Sequence, residues 1–188
     1  MNGSGRVAPT LGAWLFRNRG WLPAPFLVAI ALSPVVYPEW GAVVVLLGEA
    51  LRLWAVGFIG LPSRTRGEGA HRVVDAGPYA MVRNPLYLGN LLIFLGLGVA
   101  VWPWALVVTP LLCLHYAFIV AWEESNILAK MGLPYEDYCK RVPRWFPRWR
   151  SSRKGSWDGR EALRSERTTL LVLSAVVGVM VMRVLLYS

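Results

Sequence analysis

Apolar residues come in long blocks along this chain, and the charged residues are confined to the shorter polar segments between them. A bilayer core takes about 20 mostly apolar residues per helix. On that measure residues 20–38 and residues 40–60 each supply one span, the second interrupted by Glu49 and Arg52. Residues 84–122 form 39 consecutive positions without Asp, Glu, Lys or Arg, too long for one span and broken by Trp102-Pro103-Trp104. Proline cannot continue a helix and tryptophan favours the membrane interface, so this run predicts a tight helical hairpin of two spans. Residues 168–188 supply a fifth, with Arg183 near its end able to snorkel to the far headgroups. The expected fold is therefore all-α: a multi-pass transmembrane helical bundle of about five spans, with short helices in its cytoplasmic segments.

Composition supports this reading. Of 188 residues 55% are hydrophobic and 16% charged, with mean hydropathy +0.43, whereas charged residues make up roughly a quarter of an ordinary soluble domain. Disorder, collagen and a disulfide scaffold are excluded. Cys113 and Cys139 lie 26 positions apart, and with only His71 and His115 there is no zinc-like set, so no metal is expected. The formal charge of +9 is placed asymmetrically. Eighteen of the 20 Lys and Arg fall before residue 20, in 61–83 or in 123–167, and the two opposite loops hold none. Since basic loops stay inside, the N-terminus is expected in the cytoplasm and the C-terminus opposite. Residues 1–20 are too polar to resemble a cleaved signal. Residues 151–167 read as a basic cytoplasmic linker, better explained by topology and lipid contact than by nucleic acid.

The hairpin yields the first chemical expectation. Antiparallel helices of similar length bring the start of one and the end of the other to one membrane level, so Arg83 and Asn84 must lie near Glu123 and Glu124. Those glutamates read equally well as the first solvated residues after a span. The sequence Gly77-Pro78-Tyr79-Ala80-Met81-Val82-Arg83-Asn84-Pro85-Leu86-Tyr87-Leu88-Gly89-Asn90 favours a site, because Pro85 suits a helix's first turn and leaves anion-friendly amides after it. In span two, Glu49 and Arg52 stand i, i+3 and can pair. Ionisable groups at such depth mark either a cavity or a structural ion pair. Gly132 ends one helix and Pro134 begins another that carries Tyr135 and Tyr138 on one side, either as a cap over a ligand or as an interfacial anchor.

Taken together, Arg83-Asn84-Pro85-Leu86-Tyr87-Leu88-Gly89, then Glu123-Glu124, then Gly132-Leu133-Pro134-Tyr135-Glu136-Asp137-Tyr138 and Arg144-Trp145-Phe146-Pro147 resemble the integral membrane methyltransferases that include the isoprenylcysteine carboxyl and phospholipid methyltransferases. The resemblance covers residues 48–150 as a methyltransferase-like core. Residues 1–47, 151–167 and 168–188 stand outside it as the first span with the start of the second, the linker and the last helix. It implies a cytoplasm-facing pocket for S-adenosylmethionine, open toward the bilayer for a small or lipid-attached acceptor carrying a carboxylate, thiol or amine. Glu123 or Glu124 would hold the donor's amino or ribose side. Asn84, Tyr87 and the backbone from Pro85 to Gly89 would shape the rest, with Tyr79, Tyr135 and Tyr138 stacking on adenine or closing a lid. Arg83, Arg141 or Arg144 would orient an anionic acceptor, and Glu49 or a pocket glutamate would deprotonate an amine. Asn84 stands where the prenylcysteine branch commonly has His, which weakens that particular acceptor. Two alternatives are a membrane NADPH-dependent reductase of the sterol type, which needs additional Arg or Lys around a 2′-phosphate, and a non-catalytic scaffold of the same fold. Oligomeric state is left open.

Overall fold

The computed structural model describes residues 11–64, 73–149 and 155–187. Arg6, Arg66, His71, Arg72, Arg150 and the Ser151–Lys154 part of the basic linker lie outside the described residues. The elements are α1 (Leu11–Asn18), α2 (Ala24–Ala31), α3 (Pro38–Arg64), a 3₁₀ turn (Gly77–Ala80), α4 (Pro85–Ala100), α5 (Trp104–Met131), α6 (Leu133–Arg141) and α7 (Gly159–Tyr187). Among the described residues there is no β-strand. Three helices, α3, α5 and α7, are long and apolar enough to cross a membrane, and α4 is a shorter apolar helix of 16 residues. This is a membrane protein.

The hairpin forms where expected: α4 ends at Ala100 and α5 starts at Trp104, with Trp102 and Pro103 in the turn. The first apolar run behaves differently. Only eight of its residues are helical in α2, about 12 Å at 1.5 Å per residue, because prolines stand at 23, 25 and 34. The run still travels from one end of the bundle to the other. Before it, Phe16 of α1 packs on Trp122 near the end of α5, with ring centroids 4.7 Å apart. After it, the amides of Val36 and Tyr37 donate to the Ala100 carbonyl at the α4–α5 turn, at 2.7 and 3.2 Å. Irregular backbone at membrane depth must find protein partners. Arg183 supplies them, donating to the carbonyls of Ala31 and Ser33 at 3.4 and 3.2 Å. Arg183, expected to reach toward the far headgroups, thus has protein partners in this segment.

The last helix also departs from expectation. It begins at Gly159 rather than near residue 168, so the second half of the basic linker is helical. Asp158 explains the start: its carboxylate accepts from the amides of Arg160 and Glu161 at 2.9 and 3.0 Å, a side-chain N-cap.

α3 and α4 form the closest pair in the bundle. Gly48 on α3 and Gly96 on α4 let the backbones touch: a Cβ on Gly48 would stand 2.8 Å from the Gly89 carbonyl oxygen, and one on Gly96 would stand 2.7 Å from that of Gly41. Small residues at such crossings replace the hydrophobic drive that is missing between helices in lipid. Gly48→Val is therefore expected to force α3 and α4 apart and destabilise the fold by about 1–3 kcal/mol. A lowered thermal midpoint in detergent is the readout. Against this pair pack Val108, Leu112 and Ile119 of α5 and Ile30 of α2, all fully buried or nearly so. The outward faces of α3 and α7 stay apolar and exposed, as at Leu46, Leu171 and Leu185, which suits contact with lipid chains.

Candidate functional site

The start of α4 and the end of α5 meet as the hairpin requires, but the two adjacent glutamates take different partners. Successive helical residues point about 100° apart. Glu124, buried, accepts from Asn84 Nδ2 at 2.8 Å and from Arg144 Nη2 and Nε at 2.8 and 3.0 Å, and stands 3.5 Å from Arg83 Nε. It ties together the start of α4, the end of α5 and the chain after α6. Glu123 accepts instead from the hydroxyl of Tyr87 at 2.9 Å. Asn84 does not cap α4 with its side chain. The amides of Leu86 and Tyr87 therefore stay among the donors that a helix start leaves without an intrahelical acceptor.

The segment after α5 folds back over this junction. Gly132, at φ +60°, breaks the helix, a conformation costly for any side chain, and α6 follows at once. Tyr138 donates to the Tyr79 carbonyl at 2.8 Å. Beyond α6 the Arg83 amide donates to the Pro143 carbonyl at 2.9 Å, and the Arg148 amide to the Met81 carbonyl at 3.0 Å. Burial pushes the hydroxyls of Tyr135 and Tyr138 well above the ordinary tyrosine range, so Tyr138 remains a neutral donor.

Beneath this cover lies a first cavity of about 770 Å³ including its open mouth, with walls that include Tyr79, Arg83, Asn84, Tyr87, Glu123 and Tyr135. A second cavity, about 1220 Å³ including its mouth, lies behind it, and Ile59, Leu86, Tyr87 and Glu123 belong to both walls. The hydrogen-bonded Tyr87–Glu123 pair is thus part of the partition between them.

The second cavity is edged by a buried polar cluster. Arg52, 5% exposed, donates to Asn90 and Glu166, reaches Thr169 Oγ1 at 3.0 Å, and holds its Nε 3.6 Å from Glu49. The expected Glu49–Arg52 pair is present, but its larger partner is Glu166, which the basic-linker reading hid. Asn90 stands i+3 from Tyr87 on α4, and that polar position inside an apolar run is the signal that locates it. Of the other expected residues, Pro85 lines the first cavity and Gly89 faces α3, against Arg52 and Gly48. Arg144 is occupied with Glu124. Arg141 pairs with Asp137 at 3.0 Å and Asp75 at 3.6 Å, in neither cavity wall.

Residues 38–131, which hold α3, α4 and α5 and half of the chain, match the phospholipid methyltransferase family. The chain belongs to this family. Among curated proteins, this family member is 35% identical over 111 residues to the cobalt-zinc-cadmium resistance protein CzcN of Cupriavidus metallidurans, covering 57% of this chain and 48% of that protein. It is 31% identical over 100 residues to the nickel-cobalt-cadmium resistance protein NccN of Alcaligenes xylosoxydans xylosoxydans, covering 52% and 43%. With protein-S-isoprenylcysteine O-methyltransferase B of Arabidopsis thaliana it shares 26% identity over 139 residues, 65% of this chain and 68% of that one. The chain spans about half the length of the two resistance proteins it matches. No solved structure matches it. Within this phospholipid methyltransferase family member, the first cavity draws on the matched residues together with Tyr135 and Tyr138 of α6.

Proposed function

We propose that this protein is a membrane methyltransferase that takes its methyl group from S-adenosylmethionine, held in the first cavity, and passes it to a small or lipid-attached acceptor. The observation that carries this reading is the donor set of that cavity. A half-buried carboxylate, Glu123, faces a helix start and a cover of tyrosines, all within or beside the family-matched helices. The donor's amino group and ribose hydroxyls call for a carboxylate, and its own carboxylate calls for helix-start amides. Glu123 would hold the former, the amides of Leu86 and Tyr87 the latter, and the Tyr79 and Tyr135 rings would flank the adenine. Glu124 acts one step back, keeping Asn84, Arg83 and Arg144 in place.

S-adenosylmethionine supplies a methyl already activated on a sulfonium, so that an acceptor lone pair bonds to the methyl carbon while the C–S electron pair returns to a neutral thioether. The protein's contribution is then positioning and exclusion of water. The membrane-side ends that carry Arg83, Glu123 and α6 face the cytoplasm in this reading, supported by the eighteen Lys and Arg that the sequence places before residue 20, in 61–83 and in 123–167. Residues 20–37, α3, α4, α5 and α7 would then make five passes. An NADPH-dependent reductase is disfavoured: among the described residues that wall the first cavity Arg83 is the one cation, and Glu124 stands beside it. Isothermal titration of the detergent-purified protein separates the readings. Saturable binding of S-adenosylmethionine with none of NADPH is expected, and the reverse result would overturn the proposal.

A further inference from the structure

We infer that the second cavity seats the methyl acceptor and that Arg19 recognises an anionic group on an amphiphilic one, an inference that rests on the methyltransferase reading above. The cavity shares the Tyr87–Glu123 partition with the first, so a molecule in it stands one side chain away from a donor bound on the other side. Among the described residues two cations, Arg19 and Arg52, are in its wall, and their situations differ. Both terminal nitrogens of Arg52 are taken by Asn90, Glu166 and Thr169 and its Nε lies 3.6 Å from Glu49, so its charge is committed to the fold. Arg19 lays its guanidinium over the Phe16 ring at 3.8 Å, and among the described residues its side chain makes no hydrogen bond or ion pair. A guanidinium anchored by its face keeps its edge donors directed outward, the geometry that binds a carboxylate or phosphate in a bidentate manner.

The remainder of the cavity matches the apolar part of such a molecule. Leu27, Phe94 and Val172 line it, and further along α4 and α7 a second, apolar groove follows, walled by Leu97, Val177, Met180 and Val181. Polar head and apolar chain therefore have successive places along one pair of helices. Arg19, Leu27, Thr168, Thr169 and Val172 all lie outside the family-matched residues 38–131. Segments outside the matched residues thus supply nearly half of this chamber's wall, a larger share than they supply to the first cavity.

The test compares two twelve-carbon probes, dodecyl phosphate and dodecanol, titrated into protein in phosphatidylcholine nanodiscs, with S-adenosylmethionine titrated into the same samples. Wild-type protein is expected to bind dodecyl phosphate about tenfold or more tightly than dodecanol, as a charge-assisted bond requires. Arg19→Gln should erase that preference, Arg19→Lys should restore part of it, and all three proteins should still bind the donor saturably. Equal affinity for the two probes in the wild type, or an undiminished preference in Arg19→Gln, would overturn the inference. Loss of donor binding in the wild type would strike the methyltransferase reading instead, and leave any Arg19-dependent selectivity standing as a site for anionic amphiphiles.

Discussion

Glu123→Gln is expected to weaken S-adenosylmethionine binding by about 10- to 100-fold with little change in thermal midpoint, because one charge-assisted hydrogen bond contributes about 1.5–3 kcal/mol. The substitution keeps the volume of the side chain, and the amide oxygen can still accept from Tyr87, so the partition between the cavities survives. What disappears is the negative charge facing the donor. Its neighbour provides the contrast. Glu124 is in the wall of neither cavity and instead holds Asn84, Arg83 and Arg144. Glu124→Gln removes the countercharge of two guanidiniums, one of them mostly buried, and should lower the midpoint first, with donor affinity falling as a consequence. Titration and melting on the two single variants read these effects separately. Full donor affinity in Glu123→Gln would place the donor elsewhere.

That difference between adjacent glutamates also marks where sequence reading stops. The hairpin was legible because 39 uncharged residues cannot fit one span and Trp102-Pro103-Trp104 has to be a turn. The meeting of Asn84 with the acidic pair follows from the hairpin alone. Gly132 and Pro134 likewise fix the break before α6 by local rules of backbone freedom. Which glutamate faces the cavity depends on the rotation of α5 against α4, and no local pattern encodes it. The start of α7 is hidden for a related reason. Residues 159–167 are polar on most sides, with Arg160, Glu161, Arg164, Glu166 and Arg167, so they carry no apolar stripe. Glu166 is fully buried only because Arg52, 114 positions away in the chain, waits for it. The short α2 is readable in hindsight from Pro25 and Pro34. The carbonyls of Ala31 and Ser33 that Arg183 satisfies are a tertiary matter.

Arg52→Leu is expected to destabilise the fold by about 3–5 kcal/mol, on the order of 10 °C in thermal midpoint, since it strands buried carboxylates without their guanidinium. Glu49 and Glu166 are 7% and 0% exposed, and hydration cannot replace what Arg52 gives them. The exposed Lys140–Glu136 pair, in contact at 2.8 Å, makes the natural control: Lys140→Met should leave the midpoint where it is, because solvent already screens that pair. The same logic orders the partial variants. Glu166→Gln keeps a hydrogen-bond acceptor for Arg52 and should destabilise less than Glu166→Leu. Combining Glu166→Leu with Arg52→Leu should do less harm than the two single effects added together, since the second change removes a charge that the first deprived of its Glu166 countercharge. The coupling measured by that double-mutant cycle is the energy that fastens α7 to α3 across the polar cluster, over and above their apolar contact. A midpoint for Arg52→Leu equal to the wild type would mean that water reaches the cluster through the second cavity, and α7 would then be held by its apolar face alone.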